Sequence, residues 1–136
     1  MNSRSIIFTI SILFVFCFLL TACAGRGGGL DGSAWELVEL DGSQPLAGTT
    51  ITLTFEDGSA GGSSGCNSYG GEYQLNGEDI TFGELASTLM ACLDEGVMAQ
   101  ESAYLAFLQG TRTYAIKDGF LYLYREDGTA LKFKRQ

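Results

Sequence analysis

The chain has 136 residues, a formal net charge of −8 and no histidine. Because histidine is the commonest general base and the commonest metal ligand, this composition argues against an enzyme, a metal site or a cofactor. Residues 27–111 contain 13 acidic residues and neither Lys nor Arg. That distribution argues against nucleic acid as a partner, since phosphate binding needs clustered cations.

The first 22 residues have the layout of a lipoprotein export signal. A short segment with Arg4 precedes the uncharged apolar residues 6–20, a run shorter than the ~20 residues that span a bilayer. The sequence Leu-Thr-Ala-Cys at 20–23 matches a lipobox, which predicts cleavage before Cys23 and lipid attachment to it. An uncleaved anchor helix is the alternative. We expect a protein tethered to a membrane on the extracytoplasmic side of the cell envelope; in an organism with two membranes, the inner and the outer membrane are both open alternatives.

Residues 23–33 contain the lipidated cysteine and a Gly-rich stretch, which predicts a flexible tether. Residues 34–136 are long enough for one small domain. In this domain, turn dipeptides such as Asn76-Gly77 separate runs that alternate apolar and polar residues, a pattern that predicts antiparallel hairpins. The predicted strands are residues 35–40, 50–56, 71–75, 79–82, 112–116, 120–124 and 130–134. Their predicted inward side chains are Trp35, Leu37, Ile51, Leu53, Phe55, Tyr114, Ile116, Leu121, Leu123, Leu131 and Phe133.

The glycine cluster at residues 58–71 reads GSAGGSSGCNSYGG. It contains no Gly-Lys-Ser/Thr of a phosphate loop, and we interpret its glycines as permitting sharp bends and close backbone approach. The alternative is a ligand-contacting loop, in which Asn67 and Tyr69 would be the contacts.

Two cysteines remain in the predicted domain, Cys66 and Cys92. In an exported protein such a pair most simply forms a disulfide, although free thiols or a catalytic thiol are alternatives. Two thiolates without histidine would leave a tetrahedral zinc site half empty. We therefore predict a structural disulfide and no metal.

One segment, residues 94–108, lacks alternation and predicts a helix, with Asp94 as its N-cap and Gly110 just beyond its end. The predicted apolar stripe is Val97, Met98, Tyr104, Leu105 and Leu108. Glu101 falls on this stripe, and a carboxylate facing a core needs a partner. We predict that Glu101 is a structural carboxylate that accepts hydrogen bonds from loop amides or a hydroxyl. An exposed edge position and a catalytic or ligand-binding role are the alternatives.

The basic residues are concentrated at the C-terminal end, where six of the eight lie from Arg112 onward. We expect them to pair with acidic strands beside them; a cationic patch for anionic lipid or a partner is the alternative. The outward residues Tyr122 and Tyr124 are either partner contacts or a cross-strand aromatic pair.

Several motifs occur together in an order that resembles the META domain, the family that includes HslJ-like envelope lipoproteins. They are Trp35, Phe55, Gly65-Cys66-Asn67, Tyr69, Gly71, Tyr73, Thr88-Leu89-Met90-Ala91-Cys92, Glu101, Leu108, Tyr114 and Leu121-Tyr122-Leu123. The resemblance covers about Ser33 to Lys134. It implies an α+β fold, in which a strongly bent antiparallel β-sheet or incomplete β-barrel packs against a single α-helix. It implies no catalytic activity.

We therefore expect a non-enzymatic envelope lipoprotein, without a cofactor, that acts as a membrane-tethered interaction or stress-response accessory module. Its expected partners are the membrane, through the N-terminal lipid, and an unidentified envelope protein. The alternative function is binding of a lipid or small hydrophobic ligand in the mouth of the barrel.

Overall fold

The computed structural model describes residues 29–136. The predicted signal at 1–22, the predicted lipidation site Cys23 and residues 24–28 of the predicted tether lie outside these residues. Leu30, in the remaining part of that segment, is fully buried. Within 29–136, no helix combines the length and hydropathy needed to cross a bilayer.

Nine strands form one antiparallel sheet that curls into a ring. The strands are β1 (Ser33–Leu40), β2 (Thr52–Glu56), β3 (Ser59–Ser63), β4 (Ser68–Asn76), β5 (Asp79–Phe82), β6 (Ala86–Ser87), β7 (Thr113–Lys117), β8 (Phe120–Tyr124) and β9 (Ala130–Arg135). Their order is β3-β2-β1-β9-β8-β7-β5-β4-β6, and pairing of β3 with β4 closes the ring. Helix α1 (Val97–Gly110), the one helix of residues 29–136, packs against the sheet. The predicted fold class is therefore confirmed.

The ring departs from a regular barrel at two places. Strands β5 and β7 share a single register pair, Asp79 with Thr113, and the register of β1 against β9 shifts between Leu37 and Glu39. Helix α1 lies in the chain between β6 and β7, and its buried residues Tyr104, Phe107 and Leu108 join the same core as the strands.

The alternating pattern predicts most inward side chains correctly because each strand has one face in the core. The fully buried large side chains are Trp35, Tyr104, Phe55, Phe133, Leu30, Ile51, Leu53, Ile80, Leu108, Leu121, Leu123 and Leu131. Trp35 satisfies its indole N–H by donating to the Ser33 hydroxyl at 2.6 Å. Ile116 was predicted to face inward, but 41% of it is exposed, since it lies next to the end of β7.

The prediction for the start of the helix is wrong. Gly96, with a φ of 85°, is the N-cap of α1, and no side chain caps the helix. Asp94 instead accepts a hydrogen bond from the Val97 N–H through its main-chain oxygen. Met98 was predicted to face the core and is 45% exposed, whereas the buried Phe107 was not predicted.

The chain enters the ring at one end, and a second group of loops lies at the other. Near the entry, the Gly32 N–H donates a hydrogen bond to the Phe55 carbonyl. The Asp57 N–H donates one to the Asp31 carboxylate. Strand β3 then runs away from the Asp57-Gly58 turn, and its last residue, Ser63, pairs with Ser68. The loop at Cys66 and Asn67 therefore lies beyond the opposite end of β3, about 17 Å along the strand direction.

Candidate functional site

Glu101, in the middle of α1, directs its carboxylate into the loop between β3 and β4. Its side chain is 5% exposed. Oε2 accepts hydrogen bonds from the Ser64 hydroxyl at 2.6 Å and the Asn67 N–H at 2.9 Å. Oε1 accepts one from the Asn67 side-chain amide at 2.7 Å. The structure thus places Glu101 among loop donors and a hydroxyl, the kinds of partner expected from the sequence.

Ser64 is fully buried, and its hydroxyl lies near two acceptors, the Glu101 carboxylate and the Asn67 carbonyl. A hydroxyl has one proton to donate, so we assign it to the carboxylate, which is closer and carries charge. The Asn67 carbonyl keeps a partner, because the Ser64 N–H donates to it at 2.8 Å.

These hydrogen bonds fix the ionisation of the carboxylate. Burial by itself would raise the pKa of Glu101, but the hydrogen bonds from Ser64 and Asn67 outweigh it and hold the pKa below its usual value. A carboxylate whose charge is stabilised in this way is a weak proton acceptor. The geometry therefore suits a positioning group that organises the loop.

Asn67 connects the β3–β4 loop to a second loop by hydrogen bonds. Its side-chain oxygen accepts hydrogen bonds from the Met90 N–H at 2.7 Å and the Thr88 hydroxyl at 2.9 Å. Its amide nitrogen, which donates to Glu101, also lies 3.3 Å from the Met90 carbonyl. We call the connected residues Ser64, Asn67, Thr88, Met90 and Glu101 the Glu101–Asn67 network. It links the helix, the β3–β4 loop and the segment after β6.

A disulfide joins the same two loops covalently. Cys66, next to Asn67, is bonded to Cys92, so the predicted pairing is confirmed. The covalent bond and the network therefore hold residues 88–93, which we call the apolar loop, against the start of β4.

The apolar loop exposes side chains that ordinarily lie in a core. Leu93 is 99% exposed and Leu89 is 95% exposed, while Met90 is 56% exposed. Isolated surface leucines are common, but three exposed large apolar side chains within five residues are a concentration that needs an explanation, and exposed apolar surface of this kind is typical of an interaction site. The Thr-Leu-Met-Ala-Cys motif is visible in the sequence, but its exposure is not, because exposure depends on the loop's position outside the ring.

Tyr69, the other residue proposed as a loop contact, faces the interior. Its hydroxyl donates to the Thr52 carbonyl at 2.9 Å and lies 2.6 Å from the Tyr104 hydroxyl. Because the Tyr69 hydroxyl donates its one proton to the Thr52 carbonyl, the Tyr104 hydroxyl must donate the hydrogen bond to the Tyr69 oxygen. Burial raises the pKa of both phenols, so they remain neutral hydrogen-bonding groups beneath the network.

The C-terminal strands present a mixed outer surface. Lys134 forms an ion pair with Glu36 on the neighbouring strand at 2.9 Å, as expected for basic strands beside acidic ones. The rings of Tyr122 and Tyr124 are stacked, with centroids 6.1 Å apart. They are neighbours on the one strand β8, so the predicted cross-strand arrangement is wrong.

Comparison with known proteins identifies relatives of the whole ring. One NMR structure, of a protein from Burkholderia xenovorans, is 32% identical, with a TM-score of 0.66, over 85% of this chain and 93% of that one. A second NMR structure, 21% identical with a TM-score of 0.62, covers 75% of this chain and 87% of its own and shows the fold alone. No curated protein matches the chain.

The family model of the META domain matches residues 29–136, which include every strand, the helix, the disulfide and the Glu101–Asn67 network. The chain therefore belongs to the META domain family.

Proposed function

We propose that this protein is a membrane-tethered accessory module of the cell envelope that binds a partner protein through its apolar loop. One observation carries the proposal. The loop exposes Leu89, Met90 and Leu93 while the disulfide and the Glu101–Asn67 network hold its backbone in place. A preformed apolar contact surface binds with a smaller loss of conformational freedom than a flexible one.

The alternative, a lipid or hydrophobic ligand inside the ring, has less support. The interior is occupied by large buried side chains, among them Trp35, Phe55, Tyr104 and Phe133. A groove of about 860 Å³ does lie on the β2–β4 part of the sheet. Its lining is Thr54, Glu56, Asp57, Ser59, Ala60, Gly61, Gly70, Gly71, Glu72, Gly83, Glu84 and Ala86. Carboxylates and glycines suit an aliphatic ligand poorly, because such sites are lined mainly by apolar side chains.

The test uses the full chain in its own cells, with a photoreactive phenylalanine analogue in place of Leu93. We expect irradiation to give one discrete protein adduct in the membrane fraction. The matched control carries the analogue at Ile116, an exposed position beside the chain entry, and should give no such adduct. Equal adducts at both positions, or none at Leu93, would contradict a specific contact through the loop.

The tether is tested in the same cells by Cys23→Ala. Because the lipid is proposed to be attached to Cys23, a labelled fatty acid supplied to the cells should be incorporated into the wild type and not into this variant. Incorporation into Cys23→Ala equal to that of the wild type would contradict lipid attachment at Cys23. Cys17→Ala is the control, since that cysteine lies within the predicted signal, and its product should be labelled like the wild type.

A further inference from the structure

Two further exposed apolar side chains lie at or beside the beginning of the helix. Leu46 and Met98 are 41% and 45% exposed. Leu46 lies beside Gly96, the N-cap of α1, and its N–H donates to the Gln100 side chain at 2.6 Å. We call Leu46, Leu89, Met90, Leu93 and Met98 the apolar pole.

The charged residues that adjoin the apolar pole in the sequence are acidic. Asp94 and Glu95 are exposed directly after Leu93. Residues 27–111, from which every residue of the pole comes, contain neither Lys nor Arg. Exposed carboxylates such as these create a negative potential that attracts positive charge and repels negative charge.

The pole also lies away from the proposed membrane anchor. The chain enters the ring beside Phe55 and Asp57, at the start of β3, whereas Ser63 at the other end of β3 leads to Cys66 and the apolar loop. A bilayer holding the N-terminal lipid would therefore lie nearer the opposite end of the ring. Anionic headgroups would in addition be repelled by Asp94 and Glu95.

From this combination we infer that the apolar pole binds a cationic amphipathic segment of a partner protein, in which apolar residues are flanked by Lys or Arg. Leu89 and Leu93 supply apolar contacts, and Asp94 and Glu95 meet the partner's positive charges. Apolar burial supplies affinity in such a contact, while charge complementarity favours cationic over anionic partners. This inference rests on the proposed function and adds the chemistry of the partner.

The probe is a labelled peptide of Leu and Lys at helical spacing, about four turns long (~14 residues). It is titrated against residues 24–136, which contain the complete ring, core and disulfide and whose folded state is verified by circular dichroism. A Leu/Glu peptide of the same spacing tests charge, and a Lys/Ser peptide of the same charge tests apolar contact. We expect the Leu/Lys peptide to bind at least about tenfold more tightly than either, and more weakly as salt rises.

The decisive variants are Leu89→Ser with Leu93→Ser, and separately Asp94→Asn with Glu95→Gln. These side chains are exposed, so the fold should persist, as circular dichroism can verify. The variant with both leucines replaced should bind the Leu/Lys peptide at least about tenfold more weakly, because the side chains of Leu89 and Leu93 become buried against the peptide on binding. The carboxylate pair should reduce the preference for Lys over Glu. Ile116→Ser, which changes an exposed apolar residue away from the pole, should bind like the wild type.

Unchanged binding by the leucine variant would overturn the inference, as would equal binding of the Leu/Glu peptide. Vesicles of phosphatidylcholine and phosphatidylglycerol form a further arm. If the wild type binds these vesicles and the leucine variant does not, the apolar pole binds lipid, and the inference that it binds a protein segment is overturned. The cross-link from position 93 depends on contact and not on charge. If the cross-link forms but the Leu/Lys peptide shows no preferential binding, the cationic-segment inference is rejected while the proposed function stands.

Discussion

Replacing Glu101 by Gln should lower the free energy of unfolding by about 3 kcal/mol. The carboxylate accepts hydrogen bonds from the Ser64 hydroxyl and from both the backbone and side chain of Asn67. A glutamine has the same shape, but its NH2 must face one of these donors, which would leave buried groups unpaired. Urea unfolding of wild type and variant measures the difference.

The control for this prediction is Glu95→Gln. It removes the same charge from an exposed position just before the same helix, where it should change stability by less than about 0.5 kcal/mol. If Glu101→Gln and Glu95→Gln are equally stable, Glu101 does not hold the loop.

The pH dependence of stability follows from the same site. Because folding lowers the pKa of Glu101 below the ordinary value of 4.5, its contribution is fully present above pH 4.5. That contribution is lost as the pH falls through the lower pKa of the folded state. The stability of Glu101→Gln should accordingly depend less on pH than that of the wild type in this acidic range.

Removal of the disulfide has the other large expected effect. Cys66 and Cys92 are separated by 26 positions. Closing a loop of that length lowers the conformational entropy of the unfolded chain, which stabilises the folded protein by roughly 3–4 kcal/mol. The double variant Cys66→Ser and Cys92→Ser should therefore unfold at a much lower denaturant concentration.

Reducing agent supplies the matched control for the disulfide. It should destabilise the wild type to about the level of the double variant and leave the double variant unchanged. If reduction leaves wild-type stability unchanged although thiol titration shows two free cysteines, the bridge contributes little to stability.

The fold could be predicted where side chains repeat a simple pattern. In β2 and β8, alternate residues such as Leu53, Phe55, Leu121 and Leu123 enter the core, so the period of two is directly visible. Strand β3 was missed because its central residues Gly61 and Gly62 have no side chains to alternate. Its pairing with β4, which closes the ring, therefore depends on tertiary contacts that the local sequence does not display.

The helix shows why boundaries were less accurate than the element itself. The prediction used Asp94 as the N-cap on composition, whereas the chain turns at Gly96, which adopts a positive φ without a steric penalty. The assumed stripe then included Met98 and left out Phe107. The outward position of Met98 places it in the apolar pole.

The candidate site could be predicted in part. A glutamate on a core-facing line requires buried partners, and this physical requirement indicated Glu101 before its partners were known. Ser64 and Thr88 could not be identified as part of the network. Ser64 lies 37 positions from its partner Glu101 and Thr88 lies 21 positions from its partner Asn67, so both contacts form only after the ring closes. The exposure of Leu89 and Leu93 likewise depends on the completed fold.

The central claim is that the Glu101–Asn67 network fixes the backbone of a loop whose side chains are exposed. Hydrogen exchange at the Met90 amide tests it most directly, because this N–H donates to the Asn67 side chain at 2.7 Å. We predict slow exchange at Met90 in the wild type and fast exchange in Glu101→Gln, under conditions where amides in the core of β8 stay protected in both proteins. Fast exchange at Met90 in the wild type would contradict a fixed loop and the binding surface proposed for it.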